Sequence, residues 1–404
     1  MAKKLMCTFL LLGACTLYAQ QNRTLSTEKT KPWSARMAQS EITRYPVAWQ
    51  YETKVPSWGY HQGVVFKAML DLWRYTGDIQ YYNYTLTYSD SVISEKGIKT
   101  YKVENYNIDM IAAGKILFPI YNQTKNKKYA QGIEILRDQM RKQPRTTEGG
   151  FWHKLRYPNQ MWLDGLYMGT PFLAQYAKEF NEPALFDDVV KQATLMAKHT
   201  YDTKTGLYYH AWDESKEQKW ANKQTGQSPN FWGRSVGWFG MALVDMLDYL
   251  PQDHAGKKEL VQIINQAASG VKKYQDAKSG VWYQVVDQGD REGNYLESTA
   301  SCMFVYFLYK AIREGYIDEK MYLPVAEKGY EGLLRNFIRE ESDGTISLTK
   351  CCAVAGLGGD PYRDGSYEYY IHERIRDNDP KGIGPFIWAS MEHEMRESTK
   401  SKDN

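Results

Sequence analysis

Apolar residues recur with helical spacing along most of the chain, and runs that alternate apolar with polar residues are few. This spacing is typical of α-helices, so the sequence predicts a mainly helical protein. Some segments, such as 237–247 and 300–311, are apolar on nearly every side, which indicates buried helices. Others, such as 182–199 and 257–273, carry an apolar stripe and a charged face, which indicates helices with one side in water.

The buried segments share a feature at their start, because each follows a short cluster of aromatic, polar and glycine residues. Six such clusters recur, at 58–63, 104–109, 160–165, 232–238, 297–300 and 381–386. Six buried helices alternating with six amphipathic ones predict an all-α fold, the (α/α)6 double-layered toroid. The inner helices of such a barrel run in one direction, so all the clusters are expected to meet at one rim. A rim of carboxylates, indoles, His and Arg forms a cleft, where ligands usually bind.

The composition along the chain divides it into four segments and leaves the prediction of a helical barrel unchanged. We expect a signal peptide at 1–19, a flexible segment at 20–39, one catalytic barrel at 40–395 and a polar tail at 396–404, because no linker interrupts the middle. The formal charge of +3 is spread without a basic run, which argues against binding to nucleic acid or to a membrane surface. The 32 Tyr and 12 Trp suit stacking on sugars, and they suit a large core equally well.

The first residues have the features of an export signal, with Lys3 and Lys4 ahead of the apolar run 5–12. Two processing routes compete: cleavage after Ala19, or lipoprotein anchoring at Cys15. No later apolar run is long enough to span a bilayer, so a periplasmic protein is expected. The remaining cysteines have neither disulfide nor metal spacing and are expected to be small buried residues; they are Cys302, Cys351 and Cys352.

Two carboxylates are candidates for chemistry, because Asp109 and Asp164 each begin an apolar helix. Burial beside Trp and Met is expected to raise the pKa of both, which would keep a proton on a general acid. The alternative is helix capping, since Asp is favoured at helix N-termini.

Basic and aromatic residues accompany the two carboxylates. The candidates for substrate binding are His153, Lys154, Trp162, His210, Trp232, Arg234 and Trp238. Arg suits a sugar carboxylate because its fork binds in a bidentate manner, although an Arg between indoles could instead be stacked in the core. The histidines show no metal-ligand spacing, so neither a metal nor another cofactor is expected.

The segment 157–168, Tyr-Pro-Asn-Gln-Met-Trp-Leu-Asp-Gly-Leu-Tyr-Met, resembles the signature of glycoside hydrolase family 105, the unsaturated rhamnogalacturonyl hydrolases. The resemblance extends in order through 107–109, 151–154, 209–213, 232–238, 364–370 and 378–385. It implies an (α/α)6 barrel that acts on lyase-generated pectin fragments by hydrating the C4=C5 double bond of a terminal unsaturated uronic acid. It also implies that Asp164 protonates C4, while Asp109 and the basic and aromatic candidates line the pocket.

Three other functions stay open from the sequence. The sister family of unsaturated glucuronyl hydrolases shares the barrel and the reaction but acts on glycosaminoglycan fragments, and ulvan-type fragments are a further choice. A conventional inverting glycosidase would use Asp109 as base and Asp164 as acid. A non-catalytic glycan-binding protein would explain the aromatic residues but not a protonatable carboxylate beside His and Arg. An oligosaccharide partner and a monomeric state are expected.

Overall fold

The computed structural model describes residues 31–400. The predicted signal peptide, the first part of the predicted flexible segment and the end of the predicted tail lie outside the described residues. Within the described part, no helix is both long enough and apolar enough to cross a membrane.

The described residues form thirteen α-helices, three 3₁₀ helices and eight short strands. The α-helices are α1 Trp33–Arg44, α2 Tyr60–Thr76, α3 Ile79–Val92, α4 Leu117–Thr124, α5 Lys127–Lys142, α6 Leu163–Glu179, α7 Leu185–Thr200, α8 Gly233–Met246, α9 Lys257–Lys273, α10 Ser298–Arg313, α11 Glu319–Phe337, α12 Tyr367–His372 and α13 Pro380–Lys400. The 3₁₀ helices are Ala48–Gln50, Val103–Asn105 and Ile108–Ile116. The strands are β1 Ile93–Ser94, β2 Gly97–Ile98, β3 Gln160–Trp162, β4 Ala211–Asp213, β5 Ile338–Glu340, β6 Ile346–Leu348, β7 Cys351–Cys352 and β8 Ile375–Arg376.

Six helical segments of the described chain form an inner ring. They are α2, the 3₁₀ helix Ile108–Ile116 with its continuation α4, then α6, α8, α10 and α13. Each packs against the next, and α13 returns to α2, so the ring is closed. The outer helices α3, α5, α7, α9 and α11 each follow an inner segment. The predicted (α/α)6 toroid is therefore confirmed.

The sixth outer helix is α1, which comes from the opposite end of the chain and packs against α13. The backbone N–H of Ser34 donates to Glu394 Oε1 at 3.0 Å, and the Ser34 hydroxyl donates to Oε2 at 2.6 Å. The prediction of a flexible segment through residue 39 was wrong from Trp33 onward. Ser34, Arg36 and Glu41 lie on the buried face of α1 beside Met37 and Ala38, so polar residues interrupt the apolar stripe there.

The C-terminal boundary of the barrel also differs from the prediction. The last helix continues to Lys400, so residues 396–400 are helical and are not part of a loose tail. The three cysteines of the described chain are buried and free, as predicted.

The strands are short, and two pairs of them shape one end of the barrel. Strand β3 pairs with β4 in antiparallel register, with Trp162 opposite Ala211. This pairing places the start of α6 beside the residue before β4, because Leu163 N–H donates to the His210 carbonyl at 3.0 Å. Strand β7 pairs with β8, with Cys352 opposite Ile375, and these strands flank the segment that contains α12.

Candidate active site

The N-terminal ends of the inner helices form what we call the polar rim, and Asp164 is the second residue of α6 there. Its side chain is 15% exposed, and its Oδ2 lies 3.2 Å from Nε2 of His210. The two atoms are within ion-pair range but are not aligned as a hydrogen bond. Trp162 occupies the N-cap position of α6 and no side chain caps that helix, so Asp164 is not a capping residue. Its carboxyl group therefore remains available to a substrate.

His210 is fully buried, and both of its ring nitrogens face polar groups. Its Nδ1 lies 2.8 Å from the hydroxyl oxygen of Tyr370, which belongs to α12 and is also fully buried. The indole of Trp232 lies beside the imidazole, with ring centroids 4.9 Å apart. The ring of His210 is thus held between α12 and the carboxyl group of Asp164.

Asp109 is the second residue of the 3₁₀ helix Ile108–Ile116, and it faces two basic side chains. Lys154 Nζ lies 2.5 Å from Oδ2, and His153 Nε2 lies 3.4 Å from Oδ1. Burial raises the pKa of Asp109, but the charge of Lys154, its hydrogen bond to the carboxylate and the nearby His153 together hold this pKa below its ordinary value. The prediction that burial raises the pKa of Asp109 was wrong, because the sequence does not show the contact with Lys154.

The imidazole of His153 lies beneath the rim, stacked on Trp162 with centroids 4.5 Å apart and planes 11° apart. Burial lowers the pKa of His153 to about 4, although Asp109 opposes the shift. The ring is therefore neutral near pH 7. Gly165 leaves room for it, because a Cβ at that position would lie 2.9 Å from His153 Nδ1.

Arg234 is the second residue of α8 and is only 1% exposed. One guanidinium nitrogen donates to the carbonyl of Cys352 at 2.5 Å, and the guanidinium carbon lies 4.6 Å from the ring centroid of Trp232. Its Nε has no hydrogen-bond partner in the described part of the molecule. Arg234 therefore anchors the β7 segment and still keeps one donor unused.

Trp238 lies one turn further along α8, where it is 1% exposed and stacks on Tyr167 with centroids 4.4 Å apart. It belongs to the main hydrophobic core. The predicted contact between Trp238 and substrate gains no support from this position. The other predicted site residues, from Asp109 to Arg234, are gathered at the polar rim.

Residues 33–397 match the model of Glycosyl Hydrolase Family 88. The chain belongs to this family. A solved glycoside hydrolase from family 105 of C. acetobutylicum ATCC 824 is 45% identical, with a TM-score of 0.87 over 90% of this chain and 100% of that one. The resemblance to family 105 is thereby confirmed.

Two further relatives of this family 88 chain are more distant. The unsaturated rhamnogalacturonyl hydrolase YesR of Bacillus subtilis is 24% identical over 77% of this chain and 85% of its own length. An unsaturated glucuronyl hydrolase from Bacillus sp. GL1 is 13% identical, with a TM-score of 0.66 over 89% of this chain and 95% of that one, which shows a shared fold.

The family 88 barrel brings four more polar residues to the rim that the sequence did not assign to the site. Lys381 Nζ lies 2.8 Å from Asp379 Oδ1 and 3.4 Å from His61 Nε2. Burial and the nearby Lys381 lower the pKa of His61 to about 3. Burial and the charge of Asp109 raise the pKa of the neighbouring Tyr60. The charges of Asp379 and Asp164 raise this pKa further, whereas Arg234 lowers it. These residues lie in or beside the first and last clusters of the sequence, which become neighbours when the ring closes.

Proposed function

We propose that this family 88 hydrolase removes an unsaturated uronic acid from the non-reducing end of an oligosaccharide. The observation that carries the proposal is the position of Asp164, a partly exposed carboxyl group 3.2 Å from the buried His210. An enol ether needs a positioned proton donor more than it needs a nucleophile. The rim supplies one such carboxyl group among several cations.

The reaction starts with protonation of C4 by Asp164. Water then adds at C5, and its surplus proton returns to the Asp164 carboxylate. The resulting hemiketal opens to a C5 ketone, and the group at C1 becomes a hemiacetal that loses the aglycone as an alcohol. One water molecule is consumed, and the products are the free alcohol and an open-chain keto-aldehyde acid.

The other residues hold the substrate and the charges in place. The ion pair with Lys154 keeps Asp109 ionised, so a developing positive charge on the sugar ring is stabilised. Arg234 and Lys381 are the cations that we expect to attract the uronate carboxylate. Neutral His153 is buried against Trp162 with its Nε2 facing Asp109, so this stacked pair supports the Asp109 carboxylate from below the rim.

We further propose that the aglycone is rhamnose or a related sugar of a pectin fragment. Support comes from the 45% identity to a family 105 enzyme and from the similarity to YesR. The alternative, a glucuronyl substrate from glycosaminoglycan or ulvan-type chains, is separated from it by a screen of lyase digests. The sequence at 1–19 supports export, and a periplasmic location is part of this proposal.

The test is hydrolysis in heavy-oxygen water, with product analysed early, before the carbonyl exchanges its oxygen with the solvent. Hydration puts label on C5 of the released acid and none in the aglycone, and near-ultraviolet absorbance of the double bond is lost. Early product labelled only at C1 would contradict the proposal and favour an ordinary glycosidase. Loss of absorbance without any turnover of saturated substrates would support it further.

A further inference from the structure

A second cavity lies at the opposite end of the barrel from the polar rim. Its volume is about 220 Å³. All six inner segments of the described chain line it, through residues that include Asp71, Lys115, Tyr167, Asp245, Tyr306 and Trp388. These residues lie in the inner helices beyond the first turn that carries the rim residues, so we call this space the far cavity. None of the residues assigned to the proposed reaction lines it.

Lys115 is the unusual member of this lining. It is 4% exposed, and its Nζ lies 3.6 Å from the ring centroid of Tyr167. That nitrogen has no hydrogen-bond partner in residues 31–400. A buried ammonium group without a partner is costly, and burial accordingly lowers the pKa of Lys115 to about 7. The Lys115 amine thus has donors that no group of the described chain uses.

The other basic side chains of the far cavity are already paired. Lys67 lies 2.6 Å from Asp71, Lys310 lies 2.8 Å from Asp245, and Arg313 lies 2.8 Å from Glu392. Arg74, at the exposed edge, lies 3.9 Å from Asp71. Asp248, the last acidic member, is bound by Lys310 at 2.6 Å.

These pairings decide which charge the cavity can accept. Every carboxylate that lines it has a cation beside it, so the cavity offers no free acidic group to a cationic ligand. Its unused donors among the described residues are the amine of Lys115, which is the one unpaired cation, and the hydroxyl of Tyr167. A dianion would meet four carboxylates with Lys115 as the single unpaired cation, whereas the charge of a monoanion is balanced by Lys115 alone.

We propose that the far cavity is a second binding site, in which Lys115 holds the carboxylate of a small organic monoacid. The rings of Tyr306 and Trp388 line the same space and provide apolar surface for the body of the ligand, while the unpaired hydroxyl of Tyr167 provides a second donor. The volume suits a molecule of monosaccharide size. The uronic acid released under the proposed function is one source of such a ligand, but the site does not depend on that reaction.

The experiment compares D-glucuronate with uncharged D-glucose and with sulfate, using calorimetry and soaked crystals. The variants are Lys115→Met, which removes the free amine, and Arg74→Met, which removes an equal charge from the mouth of the same cavity. Lys115→Met replaces a buried unpaired amine with an apolar group of similar length, so it is expected to fold and to melt at a higher temperature than wild type.

We expect glucuronate density in the far cavity with a carboxylate oxygen on Lys115 Nζ. Affinity at this site should fall about tenfold or more in Lys115→Met, because a hydrogen bond to a charged group is lost, and by less in Arg74→Met. Glucose and sulfate should bind more weakly than glucuronate. Density confined to the polar rim, or equal glucuronate binding by wild type and Lys115→Met, would overturn the proposal. Equal binding of glucose would overturn the role of the carboxylate while leaving the reaction at Asp164 untouched.

Discussion

The Nε2 atom of His210 lies 3.2 Å from the Oδ2 atom of Asp164, and this contact joins a fully buried ring to a carboxyl group at the surface of the rim. The other nitrogen of the ring is engaged by the hydroxyl of Tyr370. When Tyr370 donates to Nδ1, the proton of a neutral His210 is on Nε2, on the side of Asp164. The orientation of the imidazole beside Asp164 therefore depends on a residue of α12.

Asp164→Asn is expected to lower kcat about 10²–10⁴-fold, because the amide keeps the shape of the side chain but has no acidic proton to donate. Substrate binding should persist. Turnover is measured by the loss of double-bond absorbance, and binding by calorimetry on the same preparation. Circular dichroism must show an unchanged fold, and near-normal turnover would remove Asp164 from the proposed role.

Tyr370→Phe removes the hydroxyl that fixes Nδ1 of His210 and is expected to lower kcat about tenfold with little change in KM. The pH profile of kcat should also shift, since the tautomer of His210 is no longer held. The neighbour Tyr369 is a matched control, because its hydroxyl accepts from the backbone of Gly356. If Tyr369→Phe and Tyr370→Phe have the same kinetics, Tyr370 serves only the packing of α12.

Arg234→Lys keeps the charge but loses the fork that reaches Cys352 and Ala353. We expect kcat/KM to fall about tenfold and the melting temperature to decrease, since a hydrogen bond to a charged group is lost. Kinetics and melting are measured on the same protein. A lower melting temperature with wild-type kinetics would show that Arg234 only anchors the β7 segment.

His153 makes stability depend on pH in a defined direction. Its pKa is lowered from 6.5 to about 4, so the unfolded chain takes up a proton before the folded protein does. Stability is therefore retained above pH 6.5 and is lost as the pH falls toward 4, by up to about 3 kcal/mol from this residue. His153→Gln removes the titration, whereas His61 contributes in the same direction in both proteins.

Urea unfolding at several pH values between 7 and 4 measures this effect. The advantage of wild type over His153→Gln should shrink as the pH decreases. A constant difference between the two proteins would mean that His153 does not titrate as its burial implies.

The toroid and most of the rim were predictable because the inner helices are apolar on all sides and begin with distinctive clusters. Helix α1 was not predicted, because its buried face contains Ser34, Arg36 and Glu41. The side chains of Ser34 and Arg36 bind carboxylates from distant parts of the chain. An apolar stripe is the signal that sequence reading depends on. In α1 this stripe is present only in part, because polar residues share the buried face with Met37 and Ala38.

The location of the site could be predicted from the sequence, but the ion pairs within it could not. Asp109 and Lys154 are 45 positions apart in the printed sequence, yet their side chains lie 2.5 Å apart. Tyr60 and Lys381 reach the same rim only because the ring closes. Trp238 has the residue type of a sugar platform, but the turn of α8 directs it into the core against Tyr167.

The pairing of α1 with α13 has a consequence for how the protein is made. Ser34 and Glu394 are 360 positions apart, and their hydrogen bonds close the outer layer. Contacts between such distant segments carry a large loop-closure entropy and form slowly. Helix α1 must therefore wait without its partner until α13 has been synthesised. Under the proposed export, the ring is completed only after the chain has crossed the membrane.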